Sequence, residues 1–196
     1  PAGTRPAPAP AAAAPVVAVA GDLAALGPID LVVVTTAAER DTYRQLMAQH
    51  PLGDQPLCGA QLRYLFHSAR GYLGAAACQS ASFALRDRDQ WLGWDEATRR
   101  GNLARVVANA RFLIRPTVKV PHLASHLLGQ LARRLPGDWE ARYGVRPLLL
   151  ETFVHPDYHG TCYAAAGWQC IGHSAGRRDG VAKALWVRPL VDDARQ

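Results

Sequence analysis

Leu103 to Val154 reads LARVVANARFLIRPTVKVPHLASHLLGQLARRLPGDWEARYGVRPLLLETFV, and this stretch decides the fold. Ala110–Ile114 is a short apolar run with the length of a strand. Pro121–Leu135 follows, with Leu123, Leu127, Leu128, Leu131 and Leu135 at helical spacing, so one side of that helix is apolar. Arg146–Val154 is then an apolar run of the kind a buried strand shows. A strand, a long helix and a buried strand in that order predict one mixed sheet with helices on its faces.

The same alternation extends outward. Upstream, Ile29–Thr35 reads as a β-branched strand, and Ala37–Gln49 as a helix with Tyr43, Leu46 and Met47 on one side. Pro51–Gly59 is a loop. Gln61–Ser68 and Tyr72–Phe83 form a predicted hairpin around Ala69-Arg70-Gly71, and Asp95–Asn102 a short polar helix. Downstream come a short helix at Thr161–Ala166, stopped by Gly167, and strands at Trp168–His173 and Ala184–Val187. No internal repeat is visible. Residues 1–15 are almost entirely Ala and Pro, which cannot build a core and favour extended polyproline conformations. They read as an interdomain linker, with a single domain over 16–196. The chain reads as a piece of a longer, multidomain protein.

With 49% hydrophobic and 19% charged residues, 196 residues suffice for one domain with a sizeable core. No run approaches the 18 apolar residues of a membrane helix, and no secretory leader is visible. Collagen, coiled coil and wholesale disorder are excluded by composition. Cys58, Cys78, Cys162 and Cys170 form no CxxC, which points to reduced thiols in a cytoplasmic setting. Cys58 and Cys78 read as small core residues.

Twenty-two basic against 16 acidic residues give a net charge of +6. All but Lys119 and Lys183 of the basic residues are Arg, which in so Ala-, Pro- and Gly-rich a chain reflects a GC-rich genome. Between Asp95 and Arg146 there are ten basic and four acidic residues. Such a stretch fits nucleic acid, a pyrophosphate or an acidic carrier protein, and equally a solvated helix face. Arg99, Arg100, Arg105, Arg115 and Lys119 are expected to form a positive rim. The five Trp are not spaced as a stacking platform, and no helix-turn-helix, P-loop or Ser nucleophile elbow is present.

Several residues could carry chemistry. Glu151 interrupts an apolar strand, so it is either a general base with a raised pKa or a buried partner of an Arg such as Arg111. Cys162 opens a short helix, where a thiolate is favoured, or it packs inward while Thr161 caps the helix. Tyr163 is an acid in a cleft or a core aromatic. Asn109 and Arg111 flank one strand and could bind a phosphate or a substrate carboxylate, as could Arg63 from the hairpin, or all three face solvent. His155, His159, Cys162 and Cys170 have ligand chemistry without a metal-site spacing, and His122 and His126 lie one helical turn apart. No metal is expected.

The order of elements, together with Tyr163-Ala-Ala-Ala-Gly167-Trp168, resembles the GNAT acyltransferases and their Tyr-x-x-x-Gly-Phe. The resemblance implies that Tyr163 is the general acid on a leaving thiolate. It also implies a pyrophosphate loop at Val118–Ser125, where Ala124 keeps a small residue but the preceding Gly is missing. A more specific resemblance covers residues 30 to 195: GAQLRYL (59–65), RDRDQWLGW (86–94), NLARVV (102–107), ARFLI (110–114), LASH (123–126), DWEARYG (138–144), LLETFV (149–154), GTCY (160–163) and WVRPLVDDAR (186–195). These segments are similar to the domain of the Druantia anti-phage protein that also precedes DDE transposases. Against that family, His50–Asp54 differs, Ala108 replaces Asn, His155 Asp, Ala164 Arg and Gly167 Asn.

The departures and the Ala/Pro tether resemble the domain beside the cysteine-lyase domain of leinamycin-type polyketide synthases. That implies an α/β, GNAT-like domain acting on an acyl thioester held by a carrier protein, with neighbouring domains of the same polypeptide as partners. The phosphopantetheine arm, with no tightly bound cofactor, would enter between the strands near Ile114 and Glu151. Arg115 and Lys119 would meet the carrier or its phosphate, with Ile114 and Trp168 lining the substrate. A cysteine-type thiol would add to the acyl chain, Glu151 or His155 taking its proton and Tyr163 protonating carbon. The alternatives are a DNA-associated accessory domain and a non-catalytic interaction module.

Overall fold

The computed structural model describes residues 18–176, 179–192 and 194. The Ala/Pro tether of residues 1–15 lies outside them. Nine strands are β1 (Val19–Ala20), β2 (Asp30–Val33), β3 (Gln61–Ser68), β4 (Gly71–Ser80), β5 (Val106–Ile114), β6 (Val118–Lys119), β7 (Leu149–Val154), β8 (Gln169–His173) and β9 (Ala184–Pro189) among the described residues. The helices there are α1 (Ala37–Met47), α2 (Arg86–Leu92), α3 (Glu96–Asn102), α4 (Leu123–Tyr143) and α5 (Thr161–Ala165). Seven strands form one sheet in the order β2-β3-β4-β5-β7-β9-β8, and β1 and β6 pair separately in parallel. Within the large sheet only β5 and β7 run parallel, because α4 carries the chain back across one face. No described helix is long and apolar enough to cross a membrane.

Two apolar layers cover the two faces. Tyr64, Phe66, Cys78, Val107 and Leu150 pack under Leu123, Leu127, Leu128, Leu131 and Leu135 of α4. On the other face, Leu65, Ala75, Ala77 and Leu113 meet Tyr43, Leu46 and Met47 of α1, and Leu149 and Val187 meet Leu92 of α2. Alternation along each strand, inverted once within β5, assigns both layers.

Several boundaries differ from the sequence reading. β5 begins at Val106 rather than Ala110, and β4 covers Gly71–Ser80 rather than Tyr72–Phe83. Arg86–Leu92 is a helix absent from the sequence reading; about two turns opening on four charged residues carry little apolar periodicity, and left-handed Gly93 ends it. α4 runs past Pro136 to Tyr143, not to Leu135. Its last turns are anchored by tertiary contacts: Trp139 is buried, and the Tyr143 hydroxyl donates to Gln61 O at 2.7 Å and accepts from Gln61 N at 2.8 Å. Packing outweighs the hydrogen bond that Pro136 removes. Cys78 is buried as expected, whereas Cys58 is exposed, in the loop ahead of β3.

Candidate functional site

The parallel pair at the centre of the sheet comes apart. β5 and β7 are in register at Val106–Leu149, Val107–Leu150 and Ala108–Glu151, and no pairing follows. Thr152 stands where the ladder ends, its hydroxyl donating to Asn109 O at 2.9 Å in place of the next ladder bond. Beyond that point Arg111–Ile114 keep β4 as partner on one side and lack β7 on the other.

A bulge sits at the same level. Asn109 opposes Cys78 and Arg111 opposes Ala77, so Ala110 is the extra residue. Val107 lies on the α4 face with Cys78, and after the bulge Phe112 and Ile114 return to that face. Arg111 therefore shares the α1 face with Leu113. Asn109 and Arg111, expected to act side by side, point to opposite faces, because one extra residue inverts the alternation.

On the α4 face the fork is lined by Asn109 and Tyr163. Asn109 is buried, and its amide donates to Ala77 O at 3.2 Å and Arg111 O at 2.9 Å. Its Oδ1 accepts from the Tyr163 hydroxyl at 3.3 Å. Tyr163 sits edge-on to buried Trp168, with ring centroids 5.2 Å apart, and near Phe112 and Trp186 at 6.4 Å. Burial pushes its phenol up, so it stays protonated at every ordinary pH and its hydroxyl remains a hydrogen-bond donor. Gly160, at φ +69°, begins the helix that carries it, and a side chain there would meet the Trp186 ring at 2.5 Å. The cap is thus Gly160 rather than Thr161.

The other expected site residues are distributed unevenly. Glu151 has no exposed surface. Its Oε2 accepts from Arg88 at 3.0 Å and its Oε1 from Ser82 N at 3.2 Å. Burial raises its carboxyl while Arg88 opposes the rise. Arg88, itself fully buried, also grips Asp89 at 2.8 Å, and Asp89 accepts from Arg99 at 3.2 Å. The buried-pair reading describes Glu151, with Arg88 on α2 as partner instead of Arg111. A base must reach its substrate, and this carboxylate does not. The partner was invisible in sequence because α2 was not recognised.

Cys162 is half-buried, and burial raises its thiol, opposite to the thiolate expected at a helix start. A helix of five residues has a weak dipole, and desolvation outweighs it. His155, just past β7, pairs with Asp157 at 3.2 Å and is partly exposed. His126 contacts Gln130 at 3.0 Å, and no metal-binding group of His, Cys, Asp or Glu exists among the described residues. Ile114 packs at the cleft's far end; Arg115 is buried and donates to Tyr72 O; Lys119 is exposed on β6. The expected positive rim is not one surface. Arg99 belongs to the Glu151 network and Arg100 pairs with Glu96. Arg105 precedes β5 and Arg115 follows it, at opposite ends of a strand roughly 30 Å long.

At the N-terminus of α4, His122 has φ +62°, the only non-glycine residue with positive φ among those described. The loop thus keeps a glycine-like conformation with a His in it, at a cost of roughly 1 kcal/mol. Beside it lies an open pocket of about 490 Å³ lined by Gly21, Asp22, Leu23, Ala24, Pro121 and His122.

A mixed sheet split between its two parallel strands, with a long helix crossing between them, is the GNAT acyltransferase fold. Solved structures share it: the N-acyl amino acid synthase FeeM from uncultured soil microbes, at 13% identity over 85% of this chain and 92% of that one, TM-score 0.54. A GNAT-family acetyltransferase from Bacillus cereus matches at 9% identity over 83% and 98%, TM-score 0.54. Spermidine N-acetyltransferase from Vibrio cholerae, in complex with CoA and spermine, matches at 10% over 83% and 95%, TM-score 0.54. A search of curated proteins found no match. The chain belongs to the family described as Druantia protein DruA, which it matches over residues 19–179.

Proposed function

We propose that the chain processes an acyl thioester whose pantetheine arm lies in the β5–β7 fork, with Tyr163 as the proton donor. The observation that supports this best is the unpaired edge of β5 after Asn109, which offers backbone donors and acceptors to an extended amide-bearing arm, with the Tyr163 hydroxyl held beside it by Asn109. The sheet supplies the geometry of a missing strand, and the arm supplies the groups to fill it.

The arm belongs to a carrier protein in this reading rather than to free CoA. His122 puts a bulky side chain in the loop that would cradle a pyrophosphate, and Asp22 brings a carboxylate to the same pocket. Both disfavour two adjacent phosphates, while a carrier arm has one. The reaction is addition of a thiol to an unsaturated acyl chain: sulfur bonds to the β-carbon, the thiol proton leaves to His155, and Tyr163 protonates the α-carbon. His155 takes the base role because Glu151 is enclosed, and Asp157 orients it. Membership of a family named for an anti-phage protein favours DNA-associated work as the second reading.

Intact-mass spectrometry separates the possibilities. The chain is mixed with a thiol and an unsaturated acyl group carried either on a carrier protein or on CoA. A mass gain of one thiol on the carrier-bound substrate, lost in Tyr163→Phe, is expected. Reaction on CoA alone overturns the carrier assignment, and duplex DNA binding at physiological salt with no reaction on either favours the second reading.

A further inference from the structure

The α1/α2 face carries a charged pair that the fork's chemistry does not use. Arg63 on β3 and Arg111 on β5 both stand opposite Ala77 of β4. Cross-strand partners share a face, so the three form a row with two arginines roughly 10 Å apart at Cα. Ala77 is fully buried, its methyl short enough for the long side chains to close over it.

Both arginines turn toward the C-terminal end of α1. The Arg63 guanidinium lies 5.5 Å from the centre of the Tyr43 ring. Arg111 donates to Gly53 O at 3.3 Å and Ala110 O at 2.8 Å. Burial raises the Tyr43 phenol, with Asp54 adding to the rise and Arg63 and Arg111 opposing it. Burial, with Arg111 adding to it, lowers the pKa of His50, and its Nδ1 accepts from Leu52 N at 3.1 Å, so it is neutral. Among the described residues no ion pair is formed by Arg63 or Arg111. Two guanidiniums against one exposed carboxylate leave a single positive charge unmatched. Two half-buried guanidiniums in excess of one exposed carboxylate can receive a further acid, and a net +1 fits a monoanion better than a doubly charged phosphate.

The position relative to the fork gives this receptor a purpose. Arg111 directly follows the bulge residue Ala110, where β7 has already left β5, and faces away from Asn109 and Tyr163. Arg111 thus stands on the strand that edges the fork, on the face opposite the acyl arm.

We propose that Arg63 and Arg111 bind the carboxylate of the thiol co-substrate, so that the thiol is a small monocarboxylate entering from the α1/α2 face. The assignment rests on the reading of the fork as an acyl-thioester site. Binding without any acyl thioester tests it separately. In the full chain, the Nε signals of Arg63 and Arg111 are followed by NMR during titration with acetate, lactate, L-alanine and L-cysteine. Each is compared with its uncharged or decarboxylated counterpart, such as acetamide or cysteamine, and with inorganic phosphate. At least one carboxylate is expected to shift both signals, its counterpart to shift neither, and Arg63→Gln to weaken binding about tenfold. Among the described residues the Arg63 side chain makes no hydrogen bond, so Arg63→Gln reads binding even where Arg111→Gln disturbs the Gly53 loop. No shift with any carboxylate, equal shifts with the counterparts, or tighter binding of phosphate overturns the proposal. Each of those results leaves the fork reading standing; failure of an acyl arm to bind, with carboxylate binding intact, strikes the fork instead.

Discussion

The two ends of β5 follow opposite rules. Val107 and Ala108 are paired on both sides and sit over a closed charge network in which Glu151, Arg88 and Asp89 satisfy one another. Asn109–Ile114 are paired on one side, interrupted by a bulge, and lined by a tyrosine and an arginine with spare donors. One strand thus serves as scaffold and as site. The difference shows that a buried charge is not by itself a sign of chemistry: the closed end has the more perturbed environment, and the open end has the reachable groups.

Breaking the closed end has the largest effect. Arg88→Met leaves Glu151 buried and unpaired and is expected to cost about 3–5 kcal/mol, read as a collapse of the thermal unfolding midpoint. Glu151→Gln loses stability as well, since an amide cannot replace both the charge and the acceptor geometry facing Arg88; a kinetic defect with an unchanged melting temperature would speak for a base after all. At the open end the pattern reverses. Tyr163→Phe is expected to slow turnover by about 10²-fold or more while the unfolding midpoint moves little, which parallel kinetics and calorimetry check. Thr152→Val sharpens the boundary between the two. It removes the bond that closes the fork, costs about 1 kcal/mol, and raises hydrogen exchange at Asn109 and its neighbours more than at Val106.

How much of this was legible follows from which signals are local. The Leu spacing of α4 and the apolar run of β7 give the helix and the buried strand, and their order gives the sheet. Tyr163 was legible through the Gly and Trp that follow it. The bulge was not: no residue type marks Ala110, and the inversion that separates Asn109 from Arg111 exists only in the pairing. Nor was α2, whose Arg88 reads in sequence as one more surface charge between two aspartates. The row of Arg63, Ala77 and Arg111 combines three strands and is a property of register alone.

The smallest effect lies far from the fork and serves as a control. Thr36 caps α1 and Glu39 reaches back to the amides of Thr36 and Thr35, which hold its carboxyl at about 2. A depressed acid stabilises the fold above its ordinary value near 4.5 and loses that contribution as pH falls toward about 2. Thr36→Ala is expected to cost about 1 kcal/mol and Glu39→Gln to flatten this acid dependence, neither touching turnover, measured by unfolding midpoints across that pH range.

The fork itself is tested most directly by an NMR titration of the chain with phosphopantetheine. Amide shifts confined to Arg111–Ile114, Thr152–Val154 and the start of α5, with little change at Val106–Ala108, are the expected result. Shifts spread over α2 and α3, or none along β5 at saturating ligand, would contradict the claim that the open end of the strand receives an acyl-bearing arm.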